Sequence, residues 1–261
     1  MQNTSALYDQ IIAEDNHWFE TSLAIGESGR LTDNLGDVLL FGGTAILVDT
    51  GGAETGFDET VLMSVSTKHS LFNQNTPVVG SAVSGEIEVS MLNPASPIPK
   101  MARLAPYVRV TDGENVSEWI PKGVYYIDTR EVSHNSNGLD ILTLHGYDAM
   151  LMFEQDYPSD ATNSYPLLDV TMVQFIANAI GISVDPRTIE RMNKSYTFPL
   201  PIGYSMREVL GFIAASYGGN FIISDENQLL LVKLGDLPKE TNLLIDDAGY
   251  VILFGGDAIL V

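Results

Sequence analysis

The sequence has no cysteine among its 261 residues. That excludes disulfides, thiolate metal sites and cysteine-based catalysis. Basic residues are scarce as well: 13 Lys and Arg stand against 34 Asp and Glu, a formal net charge of −21. A surface of that sign repels nucleic-acid phosphates and anionic membranes, which argues against a conventional DNA-binding role. It serves solubility, and it would equally suit a surface that faces DNA without holding it. No apolar run approaches the roughly 18–20 residues needed to span a bilayer. Residues 1–10 lack a basic stretch followed by an apolar core, so a signal peptide is not expected and assembly in a cytoplasm is.

Catalytic signatures are missing too. The four histidines, His17, His69, His134 and His145, are scattered without the spacing of helical metal ligands. His145 falls in the apolar run Ile141-Leu142-Thr143-Leu144 and reads as a hydrogen-bonded structural histidine. Gly26-Glu27-Ser28-Gly29 has the wrong spacing for a nucleophile elbow. The glycine-rich phrases are hairpin turns and not phosphate loops leading into helices. The acidic loop at 49–59 lacks the spacing of a calcium loop. Glu86 and Glu88 share a strand face about 7 Å apart, which is more typical of a solvated side than of a catalytic pair. The expectation is no catalytic residue, no metal ligand and no cofactor.

What the chain does have is one phrase written twice. Val38-Leu39-Leu40-Phe41-Gly42-Gly43-Thr44-Ala45-Ile46-Leu47-Val48 returns 213 positions later as Val251-Ile252-Leu253-Phe254-Gly255-Gly256-Asp257-Ala258-Ile259-Leu260-Val261, identical at nine of eleven positions. Two β-prone runs around Gly-Gly spell a hairpin, because glycine reaches positive φ without strain. Gly42, Gly43, Gly255 and Gly256 are therefore the candidate turn residues of two related β units.

Between the copies, residues 61–150 read as β. Glu86, Glu88 and Ser90 alternate with Ile87, Val89 and Met91, and Asn137-Gly138 marks a hairpin turn. Short strands punctuated this regularly predict a small barrel or sandwich. Helical signals follow 156–166. Asp169 is placed to cap a helix carrying Val173, Ile176, Ala177 and Ile180, ended by Gly181. Asp185-Pro186 predicts a second helix start. Ser205 and Glu208 form a capping box in sequence ahead of Val209, Leu210, Ile213 and Ala214. A hairpin at 220–233 closes this module. The fold class is thus mainly β with an α/β module (α+β). Its parts are a β-barrel domain at 1–152, the helical part of the module at 153–219, and hairpins at 220–261 contributing to a second barrel-like domain.

Four phrases carry a family likeness. The run from Ile98-Pro99-Lys100-Met101-Ala102-Arg103 through Tyr107-Val108-Arg109-Val110 resembles tail-associated "minor structural" or baseplate hub proteins. These belong to phages and prophages of Gram-positive bacteria. The phrases Ser117-Glu118-Trp119-Ile120-Pro121-Lys122-Gly123-Val124-Tyr125-Tyr126-Ile127-Asp128-Thr129-Arg130-Glu131, Leu142-Thr143-Leu144-His145-Gly146-Tyr147-Asp148-Ala149-Met150 and Tyr204-Ser205-Met206-Arg207-Glu208-Val209-Leu210-Gly211-Phe212-Ile213-Ala214-Ala215 resemble the same family. The resemblance implies tube-like β-barrel domains in a homo-trimeric hub within the virion tail or baseplate, assembled in the host cytoplasm. Such a hub adapts a sixfold tail tube to a threefold tip. Its partners would be tail tube, distal tail or baseplate proteins and a spike or fibre, with transient passage of DNA and no membrane insertion. A contractile tail-like particle, bacteriocin or injection device is an equivalent setting. Many relatives continue into a peptidoglycan-cleaving portion; none follows here before Val261, so that role is not carried over. The alternative from another class is a tail-associated cell-wall hydrolase or carbohydrate-binding module.

Overall fold

A computed structural model describes residues 4–26, 28–30, 40–41, 44–45, 47–49, 55–72, 77–94, 98, 101–134, 137–158, 164–236, 253–254 and 257–258. The described residues are mainly β, with the longer helices gathered in one later segment.

A short helix, α1 (Ala6–Ile12), precedes the first long strand, and Ser5 caps it by accepting from Tyr8 N. The main sheet is built from β1 (Trp18–Ile25), β2 (Thr55–Phe57), β3 (Leu62–Lys68), β5 (Glu86–Leu92), β6 (Arg103–Thr111), β7 (Tyr125–His134) and β8 (Asp140–Asp148); β4 (Ser81–Ala82) lies elsewhere. Its order is β2-β1-β6-β7-β8-β5-β3, all antiparallel, with Ile120–Pro121 paired to β6 as an eighth strand. Period-2 alternation decides what faces inward. Ile87, Val89 and Met91 of β5 are buried while Glu86 and Glu88 are exposed. Leu23 and Ile25, Leu104, Tyr125 and Ile127, and Leu142 and Leu144 join them in one cluster. Phe57 of β2 and Leu62 and Val65 of β3 pack against that same cluster. The two ends of the strand order share one core, so the sheet wraps around it.

The second core lies under helices. α2 (Asp169–Ile180) and α4 (Met206–Tyr217) each end at a glycine in the left-handed region, Gly181 and Gly218. α3 (Pro186–Arg191) starts on Asp185, whose carboxylate accepts from Arg187 N at 2.8 Å. The strands beneath are β9 (Ser183–Val184), β10 (Gly219–Ile223) and β11 (Gln228–Lys233). Their sheet runs β9-β11-β10-β4. The 219–233 hairpin completes this four-stranded α/β sheet. Its residues Phe221, Ile223, Leu229 and Leu231 are buried against Met172, Val173, Ile176, Leu210 and Ile213 of the helices.

β4 is what joins the two layers. It lies in the sequence between two strands of the main sheet, yet it pairs in parallel with β10, Asn220 with Ser81 and Phe221 with Ala82. It fits beneath α4 because the contact is made by glycines. A Cβ on Gly211 would stand 2.8 Å from Gly80 O, and one on Gly80 would stand 2.9 Å from Ala215 Cβ. Gly80 also has φ +88°, a conformation that favours glycine.

Candidate functional site

The expected turn glycines Gly42, Gly43, Gly255 and Gly256 lie outside the described residues, but the residues flanking them are described. In the first copy Leu40 pairs with Ala45 and Phe41 with Thr44. In the second, Leu253 pairs with Ala258 and Phe254 with Asp257. The two ladders are the same antiparallel pair in the same register.

The capping residues of α4 make both bonds of a capping box. Ser205 Oγ accepts from Glu208 N at 3.2 Å, and Glu208 Oε2 accepts from Ser205 N at 2.8 Å. Asp169 departs from expectation. The N-cap of α2 is Leu168, without a side-chain bond. Asp169 turns inward, fully buried, and accepts from Tyr196 N at 3.1 Å and from the Tyr217 hydroxyl. It ties α2 to α4 because a buried carboxylate must find donors, and its other oxygen accepts from Val170 N of its own helix at 2.7 Å. That contact and burial hold the Tyr217 hydroxyl well above the usual phenol range.

Among the described residues, the candidate chemistry-bearing side chains do not converge. Glu86 and Glu88 stand on the exposed face of the main sheet, where Glu86 is opposite Lys68 and Tyr147, and Glu88 opposite Ser66 and His145. His145 points to that solvent face, not into the core, with Nδ1 3.9 Å from Glu88. The alternation of β8 puts Leu142 and Leu144 inside and so His145 outside. His134 pairs with Asp140 at 2.5 Å at the base of a hairpin, and His17 contacts Glu14 O. Among the described residues no cluster of three or more His, Cys, Asp or Glu is arranged to hold a metal. A cleft of about 290 Å³ runs between Lys68, Glu86, Tyr147 and Arg207. Its cations are already engaged: Arg207 holds Glu154 at 2.5 Å and Ala82 O at 2.8 Å, and Lys68 faces Glu86 at 3.6 Å.

Two buried polar side chains with three hydrogen bonds each sit where the chain crosses between the two layers. Asn220, 1% exposed, donates from Nδ2 to Leu71 O and Val78 O, each at 2.8 Å, and accepts from Ser81 N at 2.9 Å. One side chain thus pins the stretch leading from the main sheet into β4. Asp148, 2% exposed, accepts from Gly85 N at 2.6 Å, Met150 N at 2.9 Å and Ser84 Oγ at 3.2 Å. Gly85 lies on the way back from β4, and Met150 is in the first turn of the 3₁₀ helix Ala149–Glu154 that enters the second layer. Beside it the Tyr125 hydroxyl is 2.6 Å from His69 Nε2, which is 3.6 Å from Asp225 in the β10–β11 turn. Desolvation raises the Asp148 carboxyl to about 6, against the pull of its donors and of His69. Neither Asn220 nor Asp148 was anticipated. Only Asp148 left a trace, as a capping-type residue just before the apolar run Ala149-Met150-Leu151-Met152.

Large side chains also remain at the surface. Tyr204 and Phe212 meet edge to face on α4 beside Ile202, which is 79% exposed. Arg109, paired with Glu20, stacks on Trp119 at 4.3 Å near exposed Trp18 and Phe19. No helix among the described residues is long and apolar enough to cross a membrane.

No protein-family model and no curated protein matches this sequence. Among solved structures it is similar to the 43 kDa tail protein of prophage MuSo2 from Shewanella oneidensis. That match has 12% identity and a TM-score of 0.48, and covers 82% of this chain and 54% of that one. It is also similar to a chain of the lidded Francisella PdpA–VgrG complex, at 8% identity and a TM-score of 0.36, covering 71% of this chain and 23% of that one. The half-lidded form gives 10% identity and 0.34 over 70% and 25%. The chain thus spans about half the length of the prophage tail protein and about a quarter of the PdpA–VgrG chains.

Proposed function

We propose that this chain is a non-catalytic subunit of a phage tail or tail-like particle, a homo-trimeric hub that joins a sixfold tube to a threefold tip. The observation that carries this reading is the repeated hairpin, with identical register at residues 40–45 and 253–258. Two equivalent β units per chain, in three chains, present six similar elements to a sixfold neighbour. The wrapped main sheet serves as the barrel of such a ring. The tail-protein phrases at 98–110, 117–131 and 204–215 point to the same setting.

Closed rings follow from repeated heterologous contacts, and exposed aromatic and Arg side chains are common anchors of such contacts. Trp18, Arg109 and Trp119 fit that role. The charge of −21 suits a lumen through which DNA slides without phosphate contacts. The expected neighbours are tube, distal tail or baseplate proteins on one side and a spike or fibre on the other.

Class averages from electron microscopy of the purified chain test the reading. The hub predicts threefold rings with a central opening, and no loss of turbidity when the protein is mixed with peptidoglycan. Single particles without symmetry that clear the suspension would favour the cell-wall hydrolase instead.

A further inference from the structure

We propose that neighbouring copies of this chain meet by setting Lys194 and Lys233 of one copy against Asp112 and Glu114 of the next. The proposal deepens the hub reading and rests on it for closure of the ring. Cations are scarce here, 13 against 34 acidic residues, so a cation readily finds a carboxylate within its own chain. Lys68 pairs with Glu86, Arg109 with Glu20, Arg187 with Asp185 and Arg207 with Glu154. Among the described residues, Lys194 and Lys233 make no ion pair. They nevertheless lie together. Lys233 Nζ stands 5.4 Å from the centre of the Tyr217 ring, and Lys194 N donates to the hydroxyl of the same tyrosine at 3.3 Å. The exposed Tyr196 ring packs on Tyr217 at 5.4 Å. Arg191 joins them from α3, donating from Nη1 to Leu231 O of β11 at 2.7 Å. One end of the α/β layer thus carries a positive, aromatic patch on a chain of charge −21.

The main sheet carries its complement. Asp112 and Glu114 lie in the turn after β6, and among the described residues neither pairs with a cation. Asp112 accepts instead from Glu114 N at 2.8 Å and Asn115 N at 2.7 Å. A Cβ on Gly113, between the two acids, would stand 3.1 Å from the Trp18 ring, which places both beside that exposed indole. Arg109 stacks on Trp119 there, but Glu20 already takes its charge. Ammonium groups meet both carboxylates and indole faces favourably. Two chains of net charge −21 approach each other only where the touching surfaces differ in sign, and these two patches do. They sit in different layers, so each copy presents one patch to each neighbour. Unlike patches are what a heterologous contact needs, and contacts of that kind close into rings. A polyanion would find the two lysines and be repelled by the rest of the surface.

Charge reversal tests the contact, with oligomer mass read by light scattering over a concentration series and folding by circular dichroism. The chains K194E/K233E and D112K/E114K each set like charges against each other, so each should associate about 100-fold more weakly than the wild type. A chain with all four changes restores opposite charges with the roles exchanged, and should associate within about tenfold of the wild type. Should that chain not fold, an equimolar mixture of the two double variants asks the same question, since it must associate where neither does alone. Double variants that associate like the wild type overturn the contact and leave the hub reading standing, as does a folded fourfold variant that stays apart. Rescue as an open filament or a dimer keeps the contact and refutes the threefold hub. A wild type that is monomeric throughout sinks both. DNA retained by the wild type and released by K194E/K233E would assign the lysines to phosphate and overturn the contact.

Discussion

The two layers of this molecule obey different rules. In the main sheet a residue's fate follows from its parity: Ile87, Val89 and Met91 go in, and Glu86 and Glu88 go out. In the α/β layer the decisive contacts join residues far apart in sequence. Phe221 pairs with Ala82, Asn220 with Leu71 and Val78, Asp169 with Tyr217, and Thr188 with Leu229. Alternation sets the faces of the main sheet, and a borrowed strand, β4, completes the α/β layer. The layers are consequently interleaved in the chain and not strung one after the other.

The strongest way to break that comparison is Phe221→Ala. Phe221 is fully buried and sits on the strand that pairs with β4. Its truncation should cost about 4 kcal/mol, and calorimetry should still show a single transition, because β4 carries the loss into the main sheet. Two separated transitions would mean that the layers fold independently. Asn220→Ala comes next. It leaves Leu71 O, Val78 O and Ser81 N without their partner, and urea unfolding should register about 3 kcal/mol. A change within error would mean that the 69–80 connection is not pinned by this side chain. Ser205→Ala removes one half of the α4 capping box and should lower stability by about 1 kcal/mol in the same titration. On the solvent face of the main sheet, His145→Ala should stay within about 0.5 kcal/mol, as exposed pairs contribute little. A larger loss would show that this face is covered by something.

The same contrast explains what could be read from the sequence. The strands of the main sheet between 62 and 148, the starts of α3 and α4 and their turns were legible, because alternation, Asp185-Pro186 and the Ser205–Glu208 box are short-range signals. β2 was not, since Thr55–Phe57 falls in the stretch read as an acidic loop. Nor was the β4 crossover. Ser81-Ala82 has no pattern of its own, and its place is decided by Gly80 and Gly211, which let the backbone come close to α4. Asp169 misled for a related reason: in sequence it is a cap, but burial turned it toward donors from Tyr196 and Tyr217. His145 was misassigned through its apolar neighbours, although strict parity along β8 would have put it outside. Of the candidate site, the repeat was legible in sequence and its equal register is a structural fact. Asp148 and Asn220 act through crossings that only the fold creates.

The central claim is that the chain works as a trimer presenting two equivalent hairpins per subunit. Light scattering coupled to size exclusion tests it most directly. The account predicts a molar mass three times that of the 28.4 kDa chain. It also predicts loss of that species, with the fold retained by circular dichroism, when Gly42 and Gly255 are both changed to valine. A stable 28.4 kDa particle over the whole concentration range would contradict it.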